Sequence, residues 1–301
     1  MLDATAPRAK SLLLTVFGDS LRPHGGAIWL SSLIELMAPL RMNERLVRTA
    51  ILRLTRDDWL VSTQVGRRSY YNFSPNGRER LDDAHRRIYA ARTPPWDGNW
   101  GLVLTALGHA DAPVRDRLRR ELLWLGYGAI APNVFAHPSP DHDGIVHLAK
   151  AVGAADDIVV MQAKSLARAA GTAPDQMLRT AWQLDKLAQD YGNFIALFSP
   201  LLTAVRATTD RTPQPSFILR TLVVHEYRRV LLRDPGLPDE LMGAAWAGHA
   251  ARRLARDLYV LLEASAEKFL AETVATPSGA LPPAEEIYFS RFGGIARRAG
   301  R

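Results

Sequence analysis

The stretch Asn43-Glu44-Arg45-Leu46-Val47-Arg48-Thr49-Ala50-Ile51-Leu52-Arg53-Leu54-Thr55-Arg56-Asp57 decides the fold of the first part of the chain. Asn43 is a good helix N-cap, because its side-chain oxygen can accept from a backbone N–H that the first turn leaves unpaired. Leu46, Val47, Ala50, Ile51 and Leu54 then fall on one stripe of a helix that runs to about Asp57. Off that stripe lie Arg45, Arg48, Thr49, Leu52, Arg53 and Arg56. A duplex major groove admits one α-helix, and a helix anchored along one side and cationic on the other meets that requirement.

The flanking residues extend this reading. Ser11 to Leu21 is expected to be a first helix, with Ser11 as its N-cap and Leu12, Leu13, Val16 and Phe17 on one side. The Pro23-His24-Gly25-Gly26 turn stops it. Leu30 to Met37 is a second helix, with Leu33, Ile34 and Met37 at core spacing. After the third helix, Trp59–Val65 and Ser69–Ser74 are rich in β-branched and aromatic residues on either side of Gly66-Arg67-Arg68, the pattern of a hairpin. Pro75-Asn76-Gly77 ends it, and Arg78 to Arg92 is a charged helix leading out. Three helices followed by a hairpin are the layout of a winged helix-turn-helix. Asn43, Arg45, Arg48, Thr49, Arg53 and Arg56 on the third helix, with Arg67 and Arg68 at the wing tip, are the candidate contacts to double-stranded DNA.

Charge supports that assignment by its position more than by its total. The 301 residues carry a formal net charge of +7. Residues 1–92 hold 15 Lys and Arg against 9 Asp and Glu, so nearly the whole excess lies in this section. A basic head on a nearly neutral body points to a polyanion partner for the head. Of the 38 basic residues 33 are Arg, in an Ala-rich chain, so the number of arginines by itself says less than where they fall.

Thr93-Pro94-Pro95 closes the basic section, because each Pro restrains its predecessor from helix. Trp100–Leu107, Pro113–Leu125, Gly128–Ala131, Val134–His137, Asp143–Val152 and Asp157–Ala163 then read β, α, β, β, α, β, the ferredoxin-like order. On the helix of this set, Val114, Leu118, Leu122 and Leu125 are expected to face inward. A softer break at Ala170-Gly171-Thr172-Ala173-Pro174 precedes a section that is helical almost to Val274, with helices over Pro174–Phe198, Ser216–Leu232 and His249–Glu272. A third break, Thr276-Pro277-Ser278-Gly279 through Leu281-Pro282-Pro283, precedes a short tail that ends in Arg297, Arg298 and Arg301. The fold class is therefore multidomain α+β: a winged helix-turn-helix over 1–92, a ferredoxin-like domain over 93–170 and an all-α domain over 171–301 for effector binding and dimerisation.

Several short segments, taken in order, resemble one family. They are Phe17-Gly18-Asp19, Asn43 to Leu54, Gly66-Arg67-Arg68-Ser69-Tyr70-Tyr71, Trp96-Asp97-Gly98-Asn99-Trp100, Gly126-Tyr127-Gly128 with Pro132-Asn133-Val134, and His225-Glu226-Tyr227-Arg228-Arg229 with Arg233-Asp234-Pro235-Gly236-Leu237-Pro238. Together they resemble the phenylacetic-acid-degradation repressors, the PaaX family, over nearly the whole chain. The resemblance implies a homodimeric repressor that binds operator DNA and responds to an aryl-acyl-coenzyme A, phenylacetyl-CoA being the typical effector. It also leads one to expect a glycine-bearing turn before the recognition helix, where this chain has Leu40-Arg41-Met42. The effector-binding residues are left unassigned. A coenzyme A thioester needs a cationic rim and an apolar slot, and Arg220, Arg228, Arg229 and Arg233, or Arg252, Arg253 and Arg256, could supply the rim.

Enzymatic readings find little support. There is no GxSxG, Walker A or strand-borne GxGxxG, and the absence of cysteine excludes disulfides, zinc ribbons and thiol nucleophiles. His225-Glu226 begins like HExxH, but residue 229 is Arg. His225, Glu226 and His249 could form either a metal site or a packing cluster, and packing is the expected role. Asp141-His142-Asp143 reads as a solvated loop. Trp182 and Tyr191 could line an effector pocket, but at helical spacing they are expected in the core. No catalytic residue, metal or cofactor is expected. The alternatives are a metal-dependent nuclease built on the ferredoxin-like domain, an architectural DNA binder without an effector, and a regulator of a different acyl-CoA. With no apolar run near the ~18 residues of a membrane helix and no secretory core, a cytoplasmic protein without a membrane partner is expected.

Overall fold

A computed structural model describes residues 8–89, 95–105, 111–138, 140, 142–164 and 173–295. The Thr93-Pro94 and Ala170-Gly171-Thr172 breaks, Arg92, Ala106-Leu107, Asp141, Arg297, Arg298 and Arg301 lie outside those residues. The chain is mixed helix and sheet, and it forms two compact units. Residues 1–92, 191–232 and 248–301 make the first; residues 93–190 and 233–247 make the second.

The first unit opens with helix α1 (Ala9–Val16). Ser11 is not its cap: the helix starts earlier, after Arg8. Ser11 instead sits in the first turn, where its hydroxyl and carbonyl oxygens both accept from Arg228, each at 3.0 Å. A π-helical turn, Phe17–Leu21, follows. Strand β1 (Ile28–Trp29) and helix α2 (Leu30–Met37) come next. On α2 the buried apolar residues are Leu33, Leu36 and Met37, whereas Ile34 is only partly covered.

Helix α3 (Glu44–Arg56) begins as its sequence requires, with the Asn43 side chain accepting from Leu46 N at 3.0 Å. Val47, Ala50, Ile51 and Leu54 are buried. Leu46, placed on the same stripe from sequence, is 43% exposed. It lies a ~100° step from Val47, outside the arc that the neighbouring helices cover. Before the helix, Arg41 adopts the left-handed conformation (φ 59°, ψ 27°) that the expected glycine would have adopted. The turn is thus kept with an arginine in it, at a backbone cost on the order of 1 kcal/mol.

Strands β2 (Leu60–Val65) and β3 (Arg68–Phe73) form the hairpin. Gly66 (φ 60°) takes the first position of its two-residue turn, the place that a type II′ turn reserves for Gly. Strand β1, not foreseen from sequence, pairs antiparallel with β3 and makes the sheet order β1-β3-β2. Helix α4 (Pro75–Tyr89) starts earlier than its charge pattern indicated. Ser74 Oγ accepts from Gly77 N at 2.8 Å, so Ser74-Pro75 is a cap followed by a first-turn proline. Gly77 is required there, because a Cβ would lie 2.1 Å from the Trp59 carbonyl oxygen.

In the second unit, β4 (Asn99–Leu104), α5 (Ala112–Trp124), β5 (Gly128–Ala131), β6 (Val134–His137), α6 (His142–Val152) and β7 (Val159–Lys164) follow the predicted βαββαβ order. The sheet runs β5-β6-β4-β7 with every pair antiparallel, the topology of a split βαβ unit. Leu118 and Leu122 pack with Val103, Tyr127, Phe135 and Ile145; Leu125, expected inward, lies just past the end of α5 and is exposed. The helix expected over 174–198 is two helices, α7 (Ala173–Ala181) and α8 (Leu184–Ala207), broken where Gln183 turns left-handed (φ 50°). At the break the Trp182 indole donates to Gly126 O at 2.8 Å, and its ring occupies the space that a Cβ on Gly128 would need.

Helices α9 (Pro213–Leu231), α10 (Asp239–Met242) and α11 (Ala247–Thr273) follow. A short hairpin, β8 (Ala275–Thr276) and β9 (Gly279–Ala280), helix α12 (Glu286–Phe289) and a turn at Arg291–Gly293 end the described chain. α1, α2 and α3 do not have a core of their own. Leu12, Leu13, Val16 and Phe17 share one buried cluster with Phe217, Leu222, Ala266, Leu270 and Val274.

Candidate nucleic-acid interface

The eight residues proposed from sequence lie on α3 and the hairpin tip, and their side chains differ in how they are held. Asn43 is engaged in capping. Arg45 and Arg53 are exposed and have no side-chain partner among the described residues, and the same is true of Arg67 at the turn. Arg48 pairs with Glu44 at 2.7 Å across one helical turn, an exposed contact worth a few tenths of a kcal/mol and easily released. Thr49 donates its hydroxyl hydrogen to Arg45 O at 2.8 Å, and Arg56 rests 3.4 Å from Asp57. Hydrogen bonding from Lys10, with the charges of Lys10 and Arg56, holds the Asp57 carboxyl below its ordinary range. Arg68 is the most constrained of the set. Its guanidinium lies 4.1 Å from the Trp29 ring centroid, and the Trp29 indole donates to Thr276 O at 2.9 Å.

Behind this face, within the same unit, lies a charged interior. Asp19, in the π-helical turn, accepts from Tyr89 OH at 2.6 Å and from Arg291 Nη1 at 3.1 Å, and Arg220 Nε stands 3.5 Å away. Arg220 and Arg291 are both wholly buried. Arg291 also donates to Asp19 O, Tyr259 OH and His85 Nε2, and its guanidinium stacks 4.2 Å from the Tyr89 ring. Arg220 donates to Glu267 Oε1 at 2.6 Å and to Ser20 Oγ at 3.3 Å. Glu267 in turn holds His24 Nε2 at 3.0 Å, while His24 Nδ1 faces Pro282 O at 2.6 Å. Burial by itself would raise the Glu267 carboxyl, but the Arg220 charge and the His24 hydrogen bond outweigh it and set it at about 2. Burial and the neighbouring Arg291 push His85 down to about 4, so it is a neutral acceptor. The chain thus uses side chains from the π-helical turn, α4, α9, α11 and the final turn to fix the first helices against the last ones. In the sequence Asp19 falls in the expected first helix and in the family-like Phe17-Gly18-Asp19 segment, and Arg291 in the tail, with no local sign that either is buried.

Several of the other sequence candidates fall into structural roles, whereas Arg253 and Arg256 stand exposed on α11. Arg220 cannot serve as an effector rim, because it is buried on Glu267 and Asp19. Arg228 holds Ser11, and Arg229 pairs with Glu226 at 2.7 Å. His225 Nδ1 lies 2.8 Å from Thr15 Oγ1, and burial with the charges of Arg228 and Arg229 pushes His225 down to about 3. Among the described residues no group of three or more His, Asp and Glu is placed to hold a metal ion. Tyr191 is buried in the core, and Trp182 packs over Gly128. No helix of the described residues is long and apolar enough to cross a membrane.

Comparison with known proteins follows the same three sections. Residues 8–77 match the model of the PaaX-like protein, residues 93–177 that of the PaaX protein central Cas2-like domain, and residues 182–272 that of the PaaX-like protein C-terminal domain. The chain is 38% identical to the transcriptional repressor PaaX of Escherichia coli (strain K12) over 298 residues, covering 98% of this chain and 93% of that one. It is also similar in fold to the uncharacterized protein Rv0674 from Mycobacterium tuberculosis. The TM-score is 0.51 at 23% identity, over 79% of this chain and 90% of the other.

Proposed function

Because the chain belongs to the PaaX family, we propose that it is a transcriptional repressor of phenylacetate-type catabolism, a regulator and not an enzyme, that binds operator DNA through α3 and the hairpin. The observation that carries this reading is the outward side of α3. Arg45, Arg48, Thr49, Arg53 and Arg56 are all exposed there, opposite the buried Val47, Ala50, Ile51 and Leu54. On this reading residues 1–92 act as a winged helix-turn-helix, 93–170 as a ferredoxin-like domain and 171–301 as a helical effector and dimerisation domain. α3 lies in the major groove. Arg67 reaches phosphate or the minor groove from the wing tip, with Arg68 stacked on Trp29 behind it. A homodimer presents two such heads to a palindromic operator whose half-sites lie one helical turn, or a multiple, apart.

An aryl-acyl-CoA such as phenylacetyl-CoA releases the repressor by binding better to a conformation that does not fit this spacing, since only differential affinity shifts such an equilibrium. The protein acts in the cytoplasm. Gel-shift titration of Arg48→Ala and Arg53→Ala tests the DNA reading: both variants weaken operator binding while keeping the wild-type melting temperature. Unchanged binding of both overturns α3 as the reading helix. Thermal shift with phenylacetyl-CoA tests the effector, which raises the melting temperature if it binds the native state. No shift with phenylacetyl-CoA but a shift with another acyl-CoA would reassign the pathway.

A further inference from the structure

The outward side of α3 is not uniformly polar. Arg45, Thr49, Leu52 and Arg56 follow one another at i, i+4, i+7 and i+11, a single line along the helix. Leu52 is at the middle of that line, 70% exposed, and diametrically opposite the buried stripe. Arg48 and Arg53 flank it on either side. Thr49, its neighbour along the line, has its hydroxyl hydrogen engaged on Arg45 O at 2.8 Å. The centre of the face therefore offers no side-chain donor. It presents an isobutyl group and a threonine side chain that can only accept or make apolar contact, inside a rim of guanidinium groups.

We propose that Leu52, with Thr49 beside it, is a specificity residue that reads thymine through its C5-methyl group. The inference rests on the reading of α3 as the groove helix. The cationic rim selects a polyanion for this face, and a polyanion whose grooves are lined by polar base edges has little to offer an isobutyl group. A phosphate or an amino or carbonyl edge set against Leu52 would lose water and gain no hydrogen bond in return. The thymine methyl is the apolar feature of the major groove, and its contact with apolar side chains discriminates T·A from the other pairs. The arginines then set register and affinity, and the apolar centre of the same helix face distinguishes one base from its competitors.

The test uses the full-length protein and a duplex selected with it from a random-sequence pool. Each thymine of the selected duplex is replaced in turn by deoxyuridine, which removes one methyl group and leaves the hydrogen-bonding edges unchanged. Wild type is expected to bind about fourfold more weakly at one thymine per half-site, the loss that one buried methyl group implies. Leu52→Ala, whose fold is checked by its melting temperature, is expected to bind the thymine and uracil duplexes equally at that position. Leu52→Met, which keeps an apolar tip, retains the preference. If wild type shows no methyl-sensitive position, or if Leu52→Ala keeps the full thymine preference, the proposal is overturned. Normal binding by Arg48→Ala and Arg53→Ala would instead overturn the groove reading of α3. Methyl dependence that persists in Leu52→Ala while those two variants fail would overturn only the role of Leu52.

Discussion

Two sets of arginines in the first unit do opposite work with the same side chain. Arg45, Arg48, Arg53, Arg56 and Arg67 stand in solvent on α3 and the hairpin tip, with at most one loose carboxylate partner each. Arg220 and Arg291 are wholly buried, surrounded by Asp19, Glu267, three tyrosine hydroxyls and a neutral histidine. Exposed guanidinium groups contribute little to stability and are available to a polyanion. Buried ones are committed to the fold, because removing either takes one cationic partner from a carboxylate in a poorly solvated place. A sum over sequence gives both sets equal weight, although only the first can face DNA.

The largest way to break this contrast is Arg291→Met. It keeps most of the volume but leaves Asp19 with Arg220 alone, and it should cost about 3–5 kcal/mol of stability in denaturant unfolding. A loss below 1 kcal/mol would mean that the interior network does not hold the unit together.

Acid is the next largest effect, and it acts on the interior. His85 and His225 have folded pKa values below the ordinary histidine range, so their contribution is present above about pH 6.5 and is lost as pH falls toward 4 and 3. Each should cost about 2 kcal/mol by pH 5. Glu267, also depressed, adds its own loss below pH ~4.5 as its folded value near 2 is approached. Melting temperatures at pH 7.5, 6 and 5 check this, and a flat profile would contradict it.

Arg48→Ala and Arg53→Ala come third. Each should weaken operator binding about tenfold, toward the lower end of the ~1–3 kcal/mol range for a lost base contact, with stability changed by no more than ~0.5 kcal/mol. The smallest effect belongs to Arg41, which is exposed yet held in a left-handed backbone. Arg41→Gly should raise stability by up to about 1 kcal/mol, because glycine adopts that conformation without strain.

The contrast also explains what the sequence made legible. α3, its Asn43 cap and the Gly66 turn were readable because each is specified within a few residues. The βαββαβ order was readable because hydrophobic period and turn residues alternate there on a short scale. Leu46 was misplaced because a stripe one residue too wide fits the same periodicity, and only the neighbouring helices decide its edge. β1 was missed because two residues carry no alternation of their own and take their strand character from pairing with Tyr70 and Tyr71. The interior network was invisible for a stronger reason. Asp19 meets Arg220 and Arg291 across some two hundred residues or more, and an arginine in a tail gives no local sign that it will be buried. The same distance hid the joining of the first helices to the last in one core.

The most direct measurement compares two variants in two assays. Arg48→Ala/Arg53→Ala and Arg291→Met are each measured for affinity to the selected duplex over a range of salt concentrations, and for stability in denaturant. The exposed pair is expected to lose affinity and about two counterions from the salt slope while melting like wild type. Arg291→Met is expected to lose stability and, at temperatures where it remains folded, to bind with the wild-type salt slope. An exposed pair that binds DNA like wild type, with its salt slope unchanged, would contradict the central claim that the outward side of α3 is the DNA-binding surface.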